Sequence, residues 1–195
     1  KIYREEYGNL IYIGDAIFIE GARPDIESSY PTSPYSYKAG WGYMLLTNFL
    51  PNRGNGQFML HCIAKDSSGK TTTLGTRKII VDNANAVKPF GTIDTPGQGG
   101  TASGTFKNWG WVLTPRWNYI PSDGSTVTVF VDGVKLGHPT YNIYRSDIAG
   151  LFPDYANSNG AVGCFSLDTT SYENGLHTIH WIAADNAGNI EGIGS

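Results

Sequence analysis

The stretch Asn174-Gly-Leu-His-Thr-Ile-His-Trp-Ile-Ala-Ala-Asp-Asn-Ala-Gly-Asn189 has an echo 119 residues earlier, Asn55-Gly-Gln-Phe-Met-Leu-His-Cys-Ile-Ala-Lys-Asp-Ser-Ser-Gly-Lys70. At that one offset Asn, Gly, His, Ile, Ala, Asp and Gly coincide, and Gly75 meets Gly194 shortly after. Each copy reads as a turn, a strand with one apolar face, and a second tight turn. His177, Ile179, Trp181 and Ala183 fall in one phase of the strand and match Phe58, Leu60, Cys62 and Ala64, which predicts a shared core-facing side. His61 and His180 fall in the opposite, solvated phase.

The duplication extends further. Arg23-Pro-Asp-Ile-Glu-Ser-Ser-Tyr-Pro31 and Arg145-Ser-Asp-Ile-Ala-Gly-Leu-Phe-Pro153 lie 122 residues apart and share Arg, Asp, Ile, an aromatic and the closing Pro. Gly42-Tyr-Met-Leu-Leu46 matches Gly163-Cys-Phe-Ser-Leu167 at an offset of 121. The offset drifts through 122, 121 and 119, as it does when only loops change length. Three ordered blocks at nearly one spacing establish an internal repeat. In the Arg-led block, Pro24 suits the first position of a helical turn, Asp25 its positive end, and Pro31 stops it.

The chain is 40% apolar and 13% aromatic but only 16% charged, with 25 Gly and 10 Pro, which supplies cores and many turns and predicts an all-β protein. A net charge of −3 gives no electrostatic footprint for nucleic acid or an anionic membrane. No apolar run approaches the roughly 20 residues that span a bilayer. Cys62 and Cys164 stand at non-equivalent places in different repeats, so no bond between them is expected.

Strands are predicted at Ile2–Arg4, Leu10–Ile13, Ala16–Ile19, Thr71–Val81, Phe90–Asp94 and Ala102–Thr114, the last carrying Trp109-Gly-Trp111. Thr126–Asp132 alternates cleanly and closes on an Asp132-Gly133 turn. The polar, proline-ended segment Asp82–Pro89 is the expected domain boundary, dividing the chain into residues 1–86 and 87–195. On this reading the second repeat has opening strands that the first lacks. The first has a closing strand, Arg77–Val81, with no counterpart before Ser195.

Together these blocks resemble the bacterial immunoglobulin-like domains found in tandem in secreted and cell-surface proteins. The carriers are the two Arg-x-Asp-Ile blocks, Leu167-Asp-Thr-Thr170, Asn174-Gly-Leu-His-Thr-Ile179 and Asp185-Asn-Ala-Gly-Asn189, with Phe90-Gly-Thr-Ile-Asp-Thr-Pro96 similar to the opening of such a domain. The resemblance implies two tandem immunoglobulin-like β-sandwiches, the first without its N-terminal strands and the second without its last. It implies an extracellular or cell-surface location and specifies no activity.

The chain carries no Gly-x-Ser-x-Gly elbow, no His-Glu-x-x-His and no phosphate loop, so no catalytic residues are assigned and no enzyme is expected. Two ligand sets are candidates. Asp66, Asp82, Asn83, Asn85 and Asp94 offer oxygens to calcium, which takes about six to eight. The competing reading is that Asp and Asn stand there because they favour turns. Tyr35, Tyr37, Trp117 and Tyr119 lie in loops and offer flat faces to a surface glycan, or else close the ends of a sandwich. The pairs Arg23/Asp25 and Arg145/Asp147 read as structural ties. Three roles follow as expectations: a non-catalytic structural or adhesive module, an accessory module of a secreted hydrolase, or a filament subunit completed by strands from neighbouring subunits.

Overall fold

The computed structural model describes residues 1–194; Ser195 lies outside them. These residues form four antiparallel sheets joined by short helical turns. The chain divides into two compact units, Lys1–Ala86 and Val87–Ser195.

In unit 1, β1 (Ile2–Glu6) and β2 (Asn9–Gly14) form a hairpin closed by Tyr7 and Gly8, both at positive φ. Such a two-residue turn matches the twist of the strands it joins. β3 (Ile17–Ile19) leads into the helical turn α1 (Pro24–Ser29), with Pro24 in its first turn and Asp25 and Glu27 at its positive end. β4 (Gly40–Gly42) returns to pair with β3. After the kinked turn α2 (Pro51–Gly54) comes the long hairpin of β5 (Asn55–Lys65) and β6 (Thr71–Asp82). One sheet has the order β2-β1-β5-β6; the other is β3-β4 alone.

In unit 2, β7 (Phe90–Thr95) and β8 (Thr105–Leu113) open the fold. The hairpin of β9 (Val127–Val131) and β10 (Val134–Gly137) turns at Asp132-Gly133, again at positive φ. β11 (Thr140–Ile143), the helical turn α3 (Ser146–Leu151), β12 (Val162–Asp168), β13 (Ile179–Ala184) and β14 (Ile190–Ile193) complete it. The sheets are β10-β9-β13-β14 and β11-β12-β8-β7. The first has the order of the β2-β1-β5-β6 sheet, strand for strand.

The duplicated stretch thus becomes β5 in one unit and β13 in the other. Ile2 faces Cys62 as Val129 faces Trp181. Val112, Val127, Val129, Trp181, Ala183 and Ile193 come from both sheets of unit 2 and bury together in one core. Each large apolar side chain contributes about 1.5–3 kcal/mol on burial. β8 is covered on both sides: Val112 faces that core, while Trp111 packs with Phe90 and Phe152 at ring separations of 5.4–5.9 Å. In unit 1 the matching face of β5 is only half-buried, and Ile2 and Leu50 are the large apolar side chains fully enclosed there among the described residues.

Two sequence expectations are corrected. The last strand of unit 2 is present: β14 pairs with β13 from Ala184–Ile190 to Trp181–Ile193, and Ile193 enters the core. At the offset of 119, Ile190–Gly194 corresponds to Thr71–Gly75, the start of β6. The strand Arg77–Val81, expected to lack a counterpart, is the far end of β6. Second, Gly42–Leu46 does not copy Gly163–Leu167 in conformation. β12 is a seven-residue strand, whereas β4 stops at Gly42. β12 is held between β11 and β8, while β4 pairs only with β3 among the described residues. A strand hydrogen-bonded on one side keeps fewer of its backbone groups satisfied, so the same block is shorter there.

Candidate functional site

The five candidate calcium ligands are not brought together. The Asp66 carboxylate accepts from the Ser68 backbone N–H (2.9 Å), the Ser68 hydroxyl (2.7 Å) and the Lys70 N–H (2.9 Å), closing the β5–β6 turn. Asp82 stands at the other end of that hairpin and accepts from the Asn85 amide at 2.8 Å. The Asn83 amide donates to the Arg53 carbonyl, and its oxygen accepts from Thr47. Asp94 is in unit 2, on β7, where it pairs with Arg145. The bonds these side chains make close turns and form an ion pair. Among the described residues no group of three or more His, Cys, Asp or Glu side chains is placed to hold a metal ion.

The four candidate aromatics are divided between the two units. Tyr35 and Tyr37 lie in unit 1 with ring centroids 6.4 Å apart. Trp117 and Tyr119 lie in unit 2, in the loop between β8 and β9. Trp117 is 92% exposed, and Tyr119 is tied down through its backbone, whose N–H donates to the Asn186 side chain at 2.7 Å. Cys62 and Cys164 are free and half-buried, so Cys62 is less enclosed than its core-facing phase predicts.

His177 lies in the loop before β13 and is exposed, not part of the core face. Its Nδ1 meets the Asp132 carboxylate at 2.6 Å and its Nε2 the Glu173 carbonyl at 2.7 Å. Both partners are acceptors, so both ring nitrogens donate when the imidazole is protonated. The carboxylate first, and the carbonyl after it, raise the His177 pKa above the ordinary histidine value. The Asp132 pKa is lowered by the same bond and by the Thr178 N–H. The raised histidine contributes stability that is fully present below the ordinary histidine pKa and is lost as pH rises through the folded value. Asp132 contributes above the ordinary carboxylate pKa and loses that contribution as pH falls. We expect the urea midpoint of unit 2 in the native protein to exceed that of His177→Gln at about pH 5.5, with the gap closing by about pH 9. A gap independent of pH would remove the pair as its source.

What the structure does assemble is a set of ties between the repeated elements of unit 2 and the strand pair β7–β8. The buried Trp181 indole N–H donates to Asn108 Oδ1 on β8 at 2.7 Å, and the Asn108 amide donates to the Thr95 carbonyl. Asp185, 4% exposed, accepts from the Ala187 and Asn189 N–H groups, the Asn189 amide and the Thr114 hydroxyl just past β8. Burial pushes its pKa up, but the bonds from Asn189, Thr114 and Ala187 outweigh that and hold it below the usual carboxylate range. The Tyr141 hydroxyl donates to the Val112 carbonyl of β8 at 2.7 Å. The Arg145 guanidinium is shared between Asp147 on α3 (2.7 Å) and Asp94 on β7.

Unit 1 repeats the near side of these ties. Cys62 stands for Trp181, Asp66 for Asp185, Arg23 for Arg145 and Tyr30 for Phe152. Arg23 turns both of its bonds onto Asp25, at 2.8 and 2.6 Å, and depresses that carboxyl to about 2. Asp66 keeps the turn bonds of Asp185 and is exposed. Tyr30 is 58% exposed where Phe152 is 4%. Sequence reasoning missed Asn108 and Thr114 as structural residues. A signal was there for Asn108, a polar residue in the phase of Gly110 and Val112. Thr114 had none, because its partner lies 71 residues away.

Among the described residues no helix is long and apolar enough to cross a membrane. Comparison with family models, with curated proteins and with solved structures gives no match.

Proposed function

We propose that this chain is a non-catalytic structural module, two tandem immunoglobulin-like β-sandwiches of the kind found in bacterial secreted and cell-surface proteins. The supporting observation is the repeated sheet order: β2-β1-β5-β6 in unit 1 and β10-β9-β13-β14 in unit 2. Successive copies of one β unit suit a spacer that carries load or presents a neighbouring region. In unit 2 the buried polar groups of Asn108 and Asp185 are both spent on holding strands together.

Single-molecule pulling on the native chain tests this reading. The expected record has two separate unfolding events, one per unit, each releasing about 3.3–3.6 Å per residue of the unit that opens. One concerted event, or extension without a resolvable barrier, would count against it. A second reading, an accessory glycan-binding module of a secreted hydrolase, is favoured by the 92% exposure of Trp117. A glycan array separates the two. A binder lost in Trp117→Ala supports the accessory module; no binder above background argues against it.

A further inference from the structure

We propose that unit 1 is an acceptor for a pair of antiparallel strands, and that β4 is the edge on which they dock. The occupant is a hairpin with the chemistry of β7–β8, supplied by a polypeptide segment outside the described residues. Unit 2 shows what covers the equivalent surface. There the whole of β12 pairs with β8, from Val162–Trp111 to Asp168–Thr105, and β7 lies beyond it.

Four features of unit 1 fit that occupant. The first is the backbone edge. β4 and the segment that follows it, through Thr47, match β12, yet only Gly40–Gly42 is strand. Unpaired N–H and C=O groups at a sheet edge are a template for another strand. The second is an aromatic anchor: Tyr30, exposed, stands where Phe152 packs on Phe90 and Trp111 of the β7–β8 pair. Charge is the third. Arg145 reaches an acid on β7 as well as Asp147, and Arg23, its counterpart, pairs with Asp25 alone among the described residues. The last is Asp66, whose counterpart Asp185 takes a hydroxyl from the residue after β8. An incoming hairpin therefore carries an acid near the end of its outer strand and a hydroxyl just after its inner one. Its apolar residues cover the half-buried side of β5. This proposal is independent of whether the module is structural or glycan-binding.

The test adds a synthetic peptide, Lys88–Arg116 of this sequence, to the native chain and follows amide hydrogen exchange by mass spectrometry. The expected result is saturable binding, with residues 40–47 gaining protection and the unfolding transition of unit 1 moving to higher temperature. A control peptide with Asn108→Pro and Gly110→Pro, which cannot complete the ladder, is expected to leave both unchanged. Arg23→Ala, an exposed change that leaves the core intact, is expected to weaken the native peptide about 2–5-fold. Protection confined to unit 2 would overturn the proposal, since the peptide would then be exchanging with its own copy. Equal effects of the two peptides would overturn it too. So would concentration-dependent dimerisation of the chain that protects residues 40–47 without peptide, because a second copy would then be the occupant.

Discussion

Trp181→Ala lowers the stability of unit 2 by about 3–5 kcal/mol, the range for emptying a large aromatic site in a packed core. Trp181 is 0% exposed, and its ring lies against Gly110 on β8 and Gly163 on β12. A Cβ on either glycine would stand 3.1 Å from the ring, so this site has no slack around the indole. The truncation also strips Asn108 of its donor, and a buried acceptor left unpaired costs about 1–3 kcal/mol. For a unit of this size each kcal/mol moves the melting temperature by about 4–8 °C, so the melting transition of unit 2 drops by about 12 °C or more. Trp181→Phe keeps one aromatic ring but loses the donor and part of the indole's volume, so it is expected to cost less than Trp181→Ala and more than the polar term alone. If the two variants melted together, the indole N–H would carry the whole effect and the packing argument would be wrong. The transition assigned to unit 1 is expected to stay put in both.

Asp185→Ala is the second large effect and frees four donors at once; with a bond to a charged acceptor worth about 1.5–3 kcal/mol and water replacing part of the loss at the turn, about 2–4 kcal/mol is expected. Those donors are Ala187 N–H, Asn189 N–H, the Asn189 amide and the Thr114 hydroxyl. The turn between β13 and β14 and the end of β8 loosen together. Unit 1 supplies an internal control. Asp66→Ala removes the same kind of turn acceptor at an exposed site and is expected to cost clearly less, as surface changes do when they spare a buried network. Chemical denaturation of the two variants side by side checks the ratio. The pH dependence follows in sign: the Asp185 pKa is lowered, so its contribution is present above the ordinary carboxylate range and is lost as pH falls. Equal losses in Asp66→Ala and Asp185→Ala would mean that the tie to Thr114 is worth nothing.

Much of the fold could be read from the sequence because its signals were local. The Asp132-Gly133 turn, the alternation through Val127, Val129 and Val131, and the proline-led helical turn at Pro24 each depend on neighbours within a few residues. The duplicated stretch gave the phase of β5 and β13 directly. What could not be read depended on a partner far along the chain. Gly42–Leu46 has the same pattern as Gly163–Leu167, but one block is a strand because β8 lies beside it and the other lacks that neighbour. Asp94 read as a metal ligand because nothing in Phe90–Thr95 reveals Arg145, 51 residues on. Likewise Asp66, Asp82, Asn83 and Asn85 read as a cluster from composition, while the β5–β6 hairpin holds Asp66 at the end opposite the other three. His177 kept the phase of Ile179 and Trp181 on paper; the strand begins two residues after it.

The double coverage of β8 also constrains the order in which unit 2 can assemble. Its partners on β12 lie 51 (Trp111 with Val162) to 63 (Thr105 with Asp168) positions downstream. Hairpins such as β9–β10 and β13–β14 close over short loops, whereas this ladder must first bear the entropy of a long one. On a growing chain, β7 and β8 therefore leave the ribosome well before β12 exists. Trp111, Val112 and Leu113 wait in the open until then. A strand that ends covered on both faces begins as an exposed and adhesive one.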